Sequence, residues 1–197
     1  MNLSGDSAPQ RVAIGAREDL FLLRGFLSPA ECRGFIALSE DHGYEAAMIA
    51  TARGQVLARD IRDNDRLIWD DPALADDWWR RVQPFLTTAV GRWRPSGLNE
   101  RFRYYRYRVG QRFAQHRDGS YERSATEMSW MTLLVYLNDG FEGGATRFDL
   151  AGMPEAVRVV PEAGMALLFL HDRLHEGEPV RQGVKYVLRT DVMFRRD

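Results

Sequence analysis

The chain has 197 residues, 45% hydrophobic and 28% charged, enough to bury a sizeable core, and its formal net charge of −1 gives no global reason for nucleic acid or an acidic membrane as partner. One cysteine, Cys32, rules out an internal disulfide, and no run of about 18 apolar residues is present to span a bilayer. With a polar stretch from Met1 to Gln10 in place of a signal-peptide core, the expectation is a soluble cytoplasmic protein with no membrane partner.

Residues 1–18 read as a loosely ordered lead-in, and residues 20–23 as a short strand. Ser28-Pro29-Ala30-Glu31 then predicts a helix start: Ser28 as N-cap, Pro29 at the first turn and Glu31 completing a capping box. Cys32, Phe35, Ile36 and Leu38 share a helical face, Gly43 is the stop, and His42 falls at a solvated helix end. Residues 44–70 are charge-dense around Arg59–Arg66, and the simplest reading is a solvated strand and loop. Asp71 and Pro72 open another helix, with Leu74, Trp78 and Val82 as its buried stripe. Pro84 ends or kinks it, and a second helix is expected to carry Phe85, Leu86, Ala89 and Val90. Trp78, Trp79 and Trp93 read as packing residues.

From Leu98 the texture changes. Residues 102–109, 131–138, 157–160, 165–170 and 185–194 are short, rich in β-branched and aromatic side chains, and separated by Gly, Asp, Asn or Pro. Helices followed by strands predict an α+β protein, one domain in which residues 1–97 form a helical and strand support region. Its helices are expected to pack on one face of a jelly-roll core formed by residues 98–197. Arginines alternate with aromatics over 101–108, a pattern that can bind single strands. The simpler account is a polar outer face with Arg106 and Arg108 and an inner one with Tyr105, Tyr107 and Val109, so nucleic acid is not expected.

The chemistry centres on His116-Arg117-Asp118. In an extended chain, residues i and i+2 point to one face. His116 and Asp118 then converge, and a second histidine completes a 2-His-1-carboxylate triad suited to Fe(II). The other histidines are His42, His171 and His175. His175 is the better third ligand because a turn at Gln182-Gly183 brings Lys185 back toward the same place. His171 remains the rival, since His171 and His175 are also spaced i, i+4. A zinc-protease reading fails on Asp172, which stands where that motif needs Glu. Lys185 and Arg189 alternate onto one strand face, and either could present a cation.

The segment 102–195 resembles the iron(II)- and 2-oxoglutarate-dependent oxygenases, in the prolyl 4-hydroxylase-like branch. The matching pieces come in order: Tyr107 with Gly110, His116-Arg117-Asp118, Thr132 through Asn138, Gly143-Gly144-Ala145-Thr146, Val160-Pro161 with Gly164 through Phe169, His175, and Gly183-Val184-Lys185. The resemblance implies a double-stranded β-helix and Fe(II) held by His116, Asp118 and His175. It implies 2-oxoglutarate chelating the metal, its far carboxylate paired with Lys185 and assisted by Tyr107, Tyr136 and Thr132, with dioxygen as co-substrate and ascorbate as reductant. The reaction implied is C–H hydroxylation with release of succinate and CO2, on a prolyl or other side chain of a protein or peptide. Phe113 stands where several members carry Tyr, which weakens transfer of a substrate. A small metabolite or free amino acid as substrate, or a non-catalytic jelly roll that binds a ligand or partner, are the alternatives. Arg189 is expected to face the substrate. Arg62, Asn64 and Arg66, alternate residues on one face, are expected to frame the mouth and contact it.

Overall fold

The computed structural model describes residues 8–196, apart from 16, 52, 53 and 57. Helix α1 spans Pro29–His42, and its start is the expected reciprocal cap: the Glu31 N–H donates to Ser28 Oγ at 3.3 Å, and the Ser28 N–H donates to the Glu31 carboxylate at 2.8 Å. Helix α2 spans Pro72–Val82, capped by an Asp71 carboxylate that accepts from the Leu74 N–H at 2.9 Å. Trp78 of α2 is fully buried, edge-on to Phe26, Phe35 and Phe102 at centroid distances of 5.2, 5.8 and 5.3 Å.

These helices lie on the outer face of a large antiparallel sheet. Its strands run, in spatial order, Gln10–Ile14, Arg17–Arg24, Ala166–Leu170, Glu127–Tyr136, Lys185–Arg195, Arg101–Tyr107, Asp65–Asp70 and Glu45–Ala46. A smaller sheet faces it, in the order Val157–Val159, Thr146–Phe148, His175–Gly177 and Phe113–His116. The pleat sorts the central strands into two cores. Met131, Leu133, Val135, Leu188 and Val192 join the core under the helices, whereas Tyr136, Leu167, Phe169 and Val187 fill the space between the sheets with Phe148. This is a double-stranded β-helix.

Four expectations need correction. The stretch before residue 19 is not a loose lead-in: Gln10–Ile14 forms a hairpin at the edge of the large sheet with Arg17–Arg24, which contains the strand expected over 20–23, while residues 1–7 lie outside the described residues. The helix expected after Pro84 does not form; a 3-10 turn over Gln83–Phe85 leads into a bridge between Val90 and Trp93. The charge-dense segment ends in a full sheet strand, with Asp65–Asp70 paired along Arg101–Tyr107. Nor does Arg101–Tyr107 have a polar outer face. Phe102 and Tyr104 are buried under the helices, Tyr105 and Tyr107 between the sheets, and Val109 is exposed. Arg106 is held at its margin by Asp65 and Glu40, each at 2.8 Å.

Gly164 ties α1's approach to the sheets. Its φ is +79°, its carbonyl accepts from Leu27 and its N–H donates to Tyr136, and a Cβ would stand 2.1 Å from the Leu27 carbonyl oxygen. Gly164→Ala is therefore expected to cost about 2 kcal/mol or more. In a chain of this size, that is a fall in Tm of roughly 4–8 °C by differential scanning calorimetry.

Candidate active site

His116 ends the Phe113–His116 strand and pairs directly across the small sheet with His175. Asp118 follows two residues later, its N–H donating to the His171 carbonyl at 3.0 Å. One ligand atom from each of His116, Asp118 and His175 lies within 4.8 Å of the others. The Nε2 atoms of His116 and His175 stand 3.6 and 3.9 Å from the two carboxylate oxygens of Asp118. Each ring is locked from behind, His116 Nδ1 lying 2.8 Å from the Ala114 carbonyl and His175 Nδ1 2.9 Å from that of Arg173. A carbonyl can only accept, so both Nδ1 atoms carry the proton and both Nε2 atoms present a lone pair. Burial pushes His175 down to about 4, which keeps it neutral. For Asp118 burial works upward, but the Arg189 guanidinium outweighs it and holds the carboxyl well below the usual range. Two neutral imidazoles and one charged carboxylate converging on a point are a donor set that fits Fe(II).

The rings are packed as a column. Phe113 stacks on His116 at 3.5 Å and 14°, His116 meets His175 at 4.3 Å, and His175 rests against Phe169 and Phe148 at 4.6 and 5.6 Å. His171 is outside this group; its Nε2 lies 3.7 Å from Asp191. His42 is exposed at the end of α1, with Nδ1 2.8 Å from the Leu38 carbonyl.

The two candidate cations separate cleanly. Arg189 lines the pocket, as expected, but it donates to Asp118 at 2.6 Å and to Asp191 at 3.0 Å, so its charge is paired with the triad's own carboxylate. Lys185 is 4% exposed, donates to the Gly144 carbonyl at 2.6 Å, and has no carboxylate within ion-pair distance among the described residues. Its Nζ lies 5.3 and 5.5 Å from the ring centroids of Tyr107 and Tyr136, and burial lowers it to about 7. It faces a cavity shared with Tyr107, Leu134, Thr146, Val187 and the triad.

Thr132 is not at that cavity. Its hydroxyl donates to Asp118, so it positions a ligand instead of touching a cosubstrate. Tyr136 is also set back: its hydroxyl pairs with Thr146 Oγ1 at 2.6 Å, and Thr146 lines the wall. Leu134, Thr146, Gly177 and Val187 also line the pocket and were given no role in the sequence reading. Leu134 was available from alternation between Thr132 and Tyr136, and Thr146 from the register that sets it on the strand beside His175–Gly177.

Arg62, Asn64 and Arg66 are 7, 2 and 8% exposed, so they are not solvated surface. Arg62 and Arg66 line a cavity of 480 Å³ together with His116, Asp118, Tyr105 and Phe113. The Arg62 guanidinium sits 4.5 Å from the ring centroids of both Tyr105 and Phe113. Asn64 faces away from the cavity and accepts from Arg62 Nε at 2.7 Å.

Comparison with known proteins places this geometry. Residues 102–190 match the family model of the 2OG-Fe(II) oxygenase superfamily. A probable prolyl 4-hydroxylase 3 of Arabidopsis thaliana is 24% identical over 84% of this chain, which spans 66% of that relative's length, just under two thirds. Among solved structures, a viral collagen prolyl hydroxylase from Paramecium Bursaria Chlorella virus-1, in its 2OG complex, superposes with a TM-score of 0.62 at 18% identity, over 91% of this chain and 97% of the other. A prolyl hydroxylase from Trichoplax adhaerens, in complex with a hypoxia inducible factor oxygen degradation domain peptide fragment, gives 0.70 at 16% identity, over 91% and 84%. Both structures share the double-stranded β-helix.

The triad makes a direct prediction. His116→Ala, Asp118→Ala and His175→Ala should each weaken Fe(II) or Co(II) binding by about 100-fold or more in anaerobic titrations, with far-UV circular dichroism unchanged. Thr132→Val, which removes only the hydroxyl behind Asp118, should cost roughly 10–100-fold.

Proposed function

For a chain whose residues 102–190 match the family model of the 2OG-Fe(II) oxygenase superfamily, we propose an Fe(II)- and 2-oxoglutarate-dependent dioxygenase that hydroxylates a C–H bond and releases succinate and CO2. One observation carries the reading: Lys185 is a buried amine, lowered to about 7 and without a carboxylate partner among the described residues, lining the same cavity as the triad. A buried ammonium needs a counter-charge. A dicarboxylate reaching from the metal to Lys185 supplies it. Bound iron, with 2-oxoglutarate as the electron source, provides the oxidising power that no side chain here has.

The protein's part is to bind, orient and exclude water. His116, Asp118 and His175 would hold the metal, with Thr132 and Arg189 keeping the Asp118 oxygens turned inward. Lys185 would bind the distal carboxylate. Burial pushes the Tyr107 hydroxyl up to about 12, so it stays protonated and can donate to the same group. Leu134 and Val187 keep the cavity apolar around the chain of the cosubstrate. Arg62 and Arg66 would meet the prime substrate at the mouth, Asn64 acting through Arg62. A prolyl residue in a peptide is the substrate that the names of the relatives support, and the Trichoplax structure carries a peptide. Dioxygen is the second co-substrate and ascorbate the reductant. A buried, free Cys32 suits the cytoplasm as the place of action.

The test is CO2 and succinate release from labelled 2-oxoglutarate with Fe(II) and ascorbate, without prime substrate. Slow release that is lost in His175→Ala supports the reading; release no greater than in that variant refutes it. Lys185→Ala is expected to raise the 2-oxoglutarate requirement on the order of 100-fold, the partner loss of a buried carboxylate at about 3 kcal/mol. The pH dependence has a definite sign. Lys185 is held at about 7 in the free protein, so its charged form is complete below that pH and is lost above it. The Kd for 2-oxoglutarate, by calorimetry, should therefore rise about fivefold between pH 7 and 8 and about ninefold more to pH 9, with proton uptake on binding.

A further inference from the structure

The mouth of the site holds more positive charge than the triad or the cosubstrate uses. Of the five guanidiniums on the 480 Å³ cavity, Arg103 and Arg189 are paired with Asp191 and Asp118, and the exposed Arg117 donates through Nε to the Asp172 carbonyl at 3.0 Å. Arg62 and Arg66 are not satisfied in this way. Arg62, 7% exposed, donates through Nε to Asn64 and lies against Tyr105, and its buried Nη2 has no partner among the described residues. Arg66, 8% exposed, has a buried Nε without a partner, and its nearest carboxylate is the mostly exposed Glu45 at 3.9 Å. The two arginines repel each other, and burial together with Arg62 lowers Arg66 from its ordinary value. Their field reaches Tyr105: burial alone would raise its hydroxyl, yet Arg62, then Arg189 and Arg103, bring it below the ordinary value.

An arginine kept only for structure normally finds acceptors for most of its five donors. Two neighbouring guanidiniums, buried, with open N–H groups on a cavity, make an anion site. Lys185 does not line this cavity, and Arg62 and Arg66 do not line the one that Lys185 faces. The site thus has two separate anion anchors, one behind the triad and one in front. We infer that the prime substrate carries a carboxylate, which docks on Arg62 and Arg66 and so places a neighbouring C–H bond before the triad. The planar forks match the two oxygens of a carboxylate, and flat rings of Tyr105 and Phe113 fix the Arg62 fork in plane. This inference rests on the oxygenase reading of the cavity as the substrate mouth. The carboxylate can belong to a small acid, such as a free amino acid, or to an acidic residue of a peptide.

The experiment uses the whole chain, loaded with Zn(II) in place of iron and saturated with 2-oxoglutarate. The probes are matched pairs: free L-amino acids against their carboxamides, and short peptides that differ by Glu or Gln. Binding is read by calorimetry and by the Nε–Hε resonances of Arg62 and Arg66 in 15N spectra. The expected result is an acid preference of at least about tenfold in one of the two arms, roughly 1.4 kcal/mol, with both resonances shifted. Arg62→Gln and Arg66→Gln should each abolish the preference. The arm that shows it identifies the source of the carboxylate. Equal binding of acids and amides overturns the inference, as does a preference that survives both substitutions, or a wild-type chain in which acetate and every acid leave the two resonances in place. The resonance measurement needs no variant, so it decides even if the substitutions unfold the chain. Failure to bind Zn(II) and 2-oxoglutarate would refute the oxygenase reading instead, and the acid preference is then measured on the metal-free chain, where it stands or falls separately.

Discussion

A carboxylate enclosed by protein must stay charged if it is to hold a cation, and the pairing of Asp118 with Arg189 meets that demand. Enclosure alone would neutralise Asp118. Arg189 reverses this and is itself kept in place by Asp191, which also accepts from Arg103. The result is an alternating row of acids and bases, Arg103, Asp191, Arg189 and Asp118, running from two neighbouring strands of the large sheet to the loop after Phe113–His116. Each member offsets the desolvation of the next. The large sheet thus supplies the counter-charges and the small sheet supplies the imidazoles, and the closure of one sheet over the other brings the two kinds of group together.

Much of this was legible in the order of residues, and the reason is local physics. The capping box at Ser28–Glu31 and the cap at Asp71 act within one turn, so the starts of α1 and α2 were visible without any tertiary information. His116 and Asp118 are joined by strand periodicity, and the later motifs pointed to His175 over His171. What escaped depended on partners far away in the chain. The hairpin over residues 10–24 is a sheet edge because Ala166–Leu170 offers it a neighbour. The segment 59–66 looked like solvated surface because its charges are dense, and its alternate residues Arg62, Asn64 and Arg66 are buried because it runs beside Phe113 and Arg101–Tyr107.

The same limit explains the misplaced side chains. Alternation correctly gave Thr132, Leu134 and Tyr136 one face, but it could not say which of the three lies against the metal, the pocket or the back wall. Their order along the strand settles it: Thr132 reaches Asp118, Leu134 lines the cavity, and Tyr136 backs Thr146. Arg101–Tyr107 failed for a different reason. Its inner face holds Tyr105 and Tyr107 as expected, but the other side is covered by helices and carries Phe102 and Tyr104, so there is no wholly polar outer face.

The column of flat groups has a mechanical consequence. Phe113 is clamped between the Arg62 guanidinium and the His116 ring. A ring held on both faces cannot turn without displacing one of its neighbours. His116 in turn abuts His175, which is wedged against Phe148 and Phe169. Entrance and interior are therefore one gear train of side chains, and a torque applied to the guanidinium at the rim is delivered to the first imidazole through a single intervening tooth.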